Sequence, residues 1–310
     1  MRRTTIVIAA LLGAVILPAL VSAHAVPGAP NCPIFPPNNP WNQRVDKLPV
    51  ASNSAAMITS IGPGNPVHPD FGSGFYAGGP IGIPISIATK HTRRARVSFD
   101  YATESDRGPY PIPRNVQVEG GANASGDRHA IIVDRANCRD YELYAASPLA
   151  GGRWHAGSGA IFNLGSDHLR PAGWTSADAA GLPILPGLAR YDEVKRGVID
   201  HALRFTASCT APRYVYPARH QAGRCPNGPP MGLRVRLKAS VKIAGLPYQA
   251  RIVAQALKSY GLILADNGAS WFISGAPDAR WNNSALHLLD GLYGADFEVV
   301  NTSSLPHPGL

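Results

Sequence analysis

The sequence predicts a mainly β protein with late helices, built on an antiparallel β-sandwich or jelly-roll body. Three observations carry this. Roughly seven or eight short runs between residues 96 and 237 alternate apolar and polar side chains with a period of two. The 32 glycines and 29 prolines punctuate them into short turns. Helical periodicity, apart from one short early segment, is confined to the last quarter of the chain.

Residues 1–25 read as an export signal. Met1-Arg2-Arg3 is a basic start, an apolar run extends from Ile6 to Leu20, and cleavage is expected after Ala23 or Ala25. The apolar run is shorter than the ~20 residues of a membrane span, and no later stretch is long enough, so no membrane span is expected. A secreted protein follows, extracellular or periplasmic. Were His24 the mature N-terminus it would chelate copper, but the better site after Ala25 removes it.

Residues 26–50 form a Pro-rich arm that cannot join a helix or a central strand, with Ile34, Phe35 and Trp41 as its anchors. Residues 51–310 form a single β-rich domain with C-terminal helical additions. A short helix is expected over 52–61, stopped by Gly62. The segment 65–84 is rich in Gly and Pro and carries His68 and Asp70 in a polar turn. Strand runs follow at 96–101, 128–134, 141–145, 153–164, 199–206, 214–216 and 233–237. In these, His129 shares a face with Ile131 and Val133, and His201 with Leu203 and Phe205. An amphipathic helix is expected over 247–260, with Pro247 in its first turn and Gly261 beyond its end. A buried strand at 262–265, a turn at 266–268, a strand at 271–273, a helix capped by Asn283 or Ser284 and a last strand at 297–300 complete the chain.

The formal charge is +9, or +7 once Arg2 and Arg3 are removed. A positive field draws polyanions, and outside the cell these include acidic polysaccharides. The basic residues are scattered and no nucleic-acid motif appears, so nucleic acid is not the expected partner. The four cysteines suggest two bridges with three possible connectivities; the favoured one joins Cys209 to Cys225 across a Pro/Gly-rich loop, which leaves Cys32–Cys138 to tie down the arm. No Cys-x-x-Cys spacing argues for a metal, and no metal or cofactor is expected. The chain is expected to be a monomer.

Residues 170–188 (RPAGWTSADAAGLPILPGL), 231–240 (MGLRVRLKAS) and 260–268 (YGLILADNG) resemble a group of secreted bacterial proteins with no assigned activity. The resemblance implies no catalytic residue.

The chemistry must therefore come from the residues themselves. No Gly-x-Ser-x-Gly elbow, His-Glu-x-x-His or phosphate loop is present. Residues 165–193 instead crowd ionisable groups among backbone-fixing glycines and prolines, as functional loops do. Asp178, in the first turn of an expected short helix capped by Thr175 or Ser176, pairs in this reading with Asp192 or Glu193 for glycoside cleavage. His129 and His201 sit at the rims of apolar strand faces, where an imidazole titrates near neutrality. Trp174 is a sugar platform, and Arg170, Arg190, Tyr216 and His220 complete the substrate-binding set. The expected function is a carbohydrate-active enzyme, a glycoside hydrolase acting on a polysaccharide, acidic if the charge decides. The alternatives are a uronate lyase using an Arg234/Arg236 stripe and a non-catalytic glycan-binding or envelope protein.

Overall fold

Apolar alternation in 130–144 specifies two neighbouring strands, Ala130–Asp134 and Arg139–Tyr144, paired antiparallel. Ser158–Asn163 adds antiparallel on one side and Ile85–Ala88 parallel on the other. A computed structural model describes residues 25–310; the expected export signal lies outside the described residues, save Ala25 at its end. Both faces of this four-stranded sheet are covered. Ile131 and Val133 pack into the main core, while Ala130 and Ile132 join a second core with Tyr110, Tyr141 and Leu143. A period-two strand normally leaves one polar face to water, and here the second core takes that face.

The larger sheet has six strands. In order they are His68–Asp70, Phe272–Ser274, Leu203–Ala207, Leu262–Asn267, Arg234–Leu237 and Phe297–Val299. His68–Asp70 runs parallel to Phe272–Ser274, and Leu203–Ala207 parallel to Leu262–Asn267. Helix Tyr248–Ser259 makes the crossover before Leu262–Asn267 and buries Val253, Ala254, Ala256 and Leu257. Leu262–Asn267 lies inside the sheet, parallel to Leu203–Ala207 and antiparallel to Arg234–Leu237, and residues 262–265 are apolar without alternation because both faces are buried.

The protein is thus strand-rich with few helices and several open sheets. The antiparallel expectation is corrected by the parallel pairs, which local periodicity cannot distinguish. Tyr214–Tyr216 forms no strand, only a bridge from Tyr214 to Met231. The strand expected from Ile199 begins at Leu203, and Asp266 and Asn267 continue a strand rather than turning. Asn282, not Asn283 or Ser284, caps the helix Asn283–Leu286 by accepting from the Ala285 amide.

Both expected disulfides are present, with Cα separations of 5.1 Å for Cys32–Cys138 and 5.8 Å for Cys209–Cys225. Two bridges are consistent with an extracellular or periplasmic protein. The arm is anchored by buried Ile34, Phe35 and Trp41, as expected. Its backbone is also held by cations: Arg234 donates to Pro40 O and Gln43 O, and Arg236 to Val45 O and Leu48 O. Among the described residues no helix is long and apolar enough to cross a membrane.

Candidate functional site

Residues 174–182 form a tight loop, not the expected short helix. Ser176 Oγ accepts from the Asp178 amide at 2.9 Å and donates to Leu182 O at 2.5 Å, offering the backbone a local alternative to helical bonds. Gly181 closes the loop at φ +69°, where a Cβ would meet Trp174 O at 2.5 Å. Ser158 Oγ donates to Ser176 O from the four-stranded sheet, and the Ala180 amide donates to Ala265 O of the six-stranded one. The loop thereby bridges the two sheets and brings Asp178 beside Asp266.

These residues floor a cavity of about 320 Å³. Asp178, Asp266, Glu104, Asp127 and His220 supply its ionisable groups, and Tyr101 and Tyr144 its aromatic walls. Asp178 is fully buried and receives two hydrogen bonds from Arg204, Nε to Oδ2 at 3.0 Å and Nη2 to Oδ1 at 2.8 Å. Asp266 keeps 18% of its side chain exposed and lies 3.5 Å from Arg204 Nη2. Burial and the hydrogen-bonded Asp178 carboxylate push Asp266 well above the ordinary carboxylic range, against the pull of Arg204. The pair therefore shares one cation and keeps a proton on the more accessible member.

In the same lining, Glu104 Oε2 accepts from the Thr175 amide at 3.1 Å and lies 3.8 Å from His220 Nε2. His220 donates its other nitrogen, Nδ1, to Ala179 O at 2.7 Å, which fixes the ring. Arg170 organises this wall without entering the cavity. It donates to Thr175 O, Glu104 O and Asp106 Oδ2 at 2.6–2.7 Å.

Of the residues singled out from sequence, Asp178 and His220 line this cavity and the others do not. His129 is buried behind it. Its Nδ1 meets Glu119 Oε2 at 2.6 Å and its Nε2 meets Ala177 O at 3.0 Å, so neither nitrogen is free for substrate. Burial opposes its charge, but contact with the Glu119 carboxylate wins and raises its pKa to about 9. His201, Glu193 and Arg190 form a separate buried network: Glu193 Oε1 lies 2.9 Å from His201 Nε2 and 2.6 Å from Arg190 Nη2. Asp192, 3.6 Å from Arg190 Nε, belongs to that network too. Neither Asp192 nor Glu193 is the partner of Asp178, because the first turn of helix Tyr191–Arg196 is committed to anchoring Arg190.

Trp174 is partly exposed but outside the cavity, with the Arg170 guanidinium over its ring at 5.6 Å. Tyr216 stacks on His307 and donates to Pro308 O, securing the C-terminal tail. Sequence reading missed Asp266, Glu104, Asp127, Tyr101 and Tyr144. For Asp266 a signal existed: an aspartate closing the apolar run Leu262-Ile263-Leu264-Ala265 at the end of a buried strand.

A larger groove of about 820 Å³ adjoins the cavity and shares Asp127 with it. Two segments quoted above, 170–188 and 260–268, meet at the cavity floor through Asp178 and Asp266. No protein-family model, curated protein or solved structure matches this chain.

Proposed function

We propose that the protein is a glycoside hydrolase whose proton donor is Asp266 and whose base is Glu104. The observation that carries this reading is the gathering of Asp266, Asp178, Glu104, His220 and two tyrosines around one cavity of about 320 Å³. Such a volume suits a small ligand site, roughly one or two sugar rings. In hydrolysis the glycosidic oxygen takes the proton of Asp266 as its bond to the anomeric carbon breaks. Glu104 accepts a proton from the water whose oxygen replaces it. Burial and the Asp178 carboxylate keep Asp266 protonated against the pull of Arg204, and the Asp178–Arg204 pair does not itself touch substrate.

Glycoside cleavage requires two carboxyl groups ~5–10 Å apart on opposite sides of the bond. Asp178 and Asp266 are too close to act as that pair, which is why Glu104 takes the second role. With four acidic side chains against one histidine, the lining favours a neutral or amino sugar over a uronate. Arg234 and Arg236 donate to the backbone of the arm, which weakens one support of the lyase alternative.

The test is release of reducing ends from a panel of neutral, amino and acidic polysaccharides by the purified protein. Asp266→Asn and Glu104→Gln are each expected to lower kcat at least a hundredfold, the usual worth of a positioned acid or base. Binding without turnover by the unaltered protein would support the glycan-binding alternative and overturn this reading.

A further inference from the structure

A second cluster of chemistry-bearing side chains stands at the far side of the larger groove. Strand His68–Asp70 forms one edge of the six-stranded sheet, and the 3-10 helix His287–Gly291 packs beside it. With three residues per turn, such a helix places residues i and i+3 one above the other, so His287 and Asp290 face the same way. His287 Nδ1 lies 3.4 Å from Asp290 Oδ2, and His68 Nδ1 4.0 Å from Asp290 Oδ1. One ligand atom from each of the three residues falls within 4.8 Å of the others. The His68 ring is held in place by Phe272, at 4.3 Å between centroids.

Asp290 Oδ1 is enclosed and receives no hydrogen bond. The Asp290 side chain is 40% exposed, but this oxygen is shielded and without a donor, and a cation between it and the two imidazoles would satisfy it. Two imidazoles and one carboxylate form a donor set that zinc accepts, with a fourth position left for an exchangeable ligand. Magnesium and calcium prefer oxygen ligands throughout and fit poorly.

We propose that His68, His287 and Asp290 bind a divalent transition-metal ion of the zinc class, with its open position facing the groove. His68 and His287 line that groove, so an oxygen ligand lying there reaches the ion directly. This site is separate from the Asp266 cavity and does not depend on the glycosidase reading.

The test is calorimetric titration of ZnCl2 into chelator-treated mature protein, with MgCl2 as a second titrant. One equivalent of zinc should bind saturably and magnesium should not. His287→Ala, whose ring is more than half exposed, and Asp290→Asn should each weaken binding at least tenfold. Cobalt in place of zinc should give the intense visible bands of a four-coordinate ion in the unaltered protein, a readout that needs no variant. Absence of saturable zinc binding would overturn the proposal. So would zinc affinity unchanged in both variants, or magnesium binding as tight as zinc.

Discussion

Arg204 grips Asp178 with two parallel hydrogen bonds of 3.0 and 2.8 Å while standing 3.5 Å from Asp266. One buried cation thus faces two carboxyl groups, one spent on the ion pair and one left to carry a proton.

Removing the cation is expected to cost more than removing the Asp178 carboxylate. Arg204→Met leaves Asp178 buried without its partner, a loss of about 3–5 kcal/mol. Asp178→Asn should cost less, because Asp266 can then ionise and become the counter-ion of Arg204. Urea denaturation at pH 7 measures both. An Asp178→Asn loss equal to that of Arg204→Met would rule out Asp266 as a second counter-ion.

The buried His129–Glu119 pair gives stability a defined pH dependence. His129 has its folded pKa raised from 6.5 to about 9. Its contribution is therefore complete below about pH 6.5 and lost as pH rises through about 9. Burial disfavours the Glu119 carboxylate, yet His129 holds its pKa below 4.5, so its own contribution is lost only as pH falls into the acid range. The histidine shift corresponds to ~3 kcal/mol. In denaturation series from pH 6 to 10, the stability gap between the unaltered protein and His129→Gln should shrink steadily. A gap independent of pH would mean the imidazole is neutral in the folded state.

Asp140 and Glu142 occupy one face of strand Arg139–Tyr144, fully buried. Burial raises the Glu142 pKa, and the amides of Ile184 and Leu185, which donate to it at 2.8–2.9 Å, oppose that rise. Burial and then the adjacent Glu142 carboxylate hold Asp140 well above its ordinary 3.8, so the folded protein keeps that proton. A raised pKa contributes stability that is complete below about pH 4 and lost as pH climbs toward the folded value. Asp140→Asn supplies permanent N–H donors in place of the proton and is expected to match or exceed the parent stability at pH 8. Parallel stability–pH curves for the two proteins from pH 5 to 9 would contradict a protonated Asp140.

The local physics of the chain was legible wherever a single element decides it. Ile252, Val253, Ala256 and Leu257 mark the helical stripe of Tyr248–Ser259, and an even cysteine count points to two bridges. Ile34, Phe35 and Trp41 could be read as anchors because large apolar side chains in a Pro-rich arm have only the body to bury against. Periodicity also places Ile131 and Val133 on one face of their strand, though not that a second core would cover the other.

Charge partners were not legible, because a buried ion needs some counter-charge but not one at a fixed sequence distance. Asp192 and Glu193 are close to Asp178 in sequence and serve Arg190 and His201 instead. Asp266 is remote in sequence and joins Asp178 because two neighbouring parallel strands carry Arg204, opposite Ile263, and Asp266, opposite Thr206. The same holds for His68 and His287, one on an edge strand and one on a late 3-10 turn. By itself the sequence determined most strands of the two larger sheets, the principal helix and the number of bridges, but not the course of the loop that carries Asp178. Which ionisable groups meet was decided only by tertiary packing, since long-range pairing brings together residues that local chemistry leaves independent.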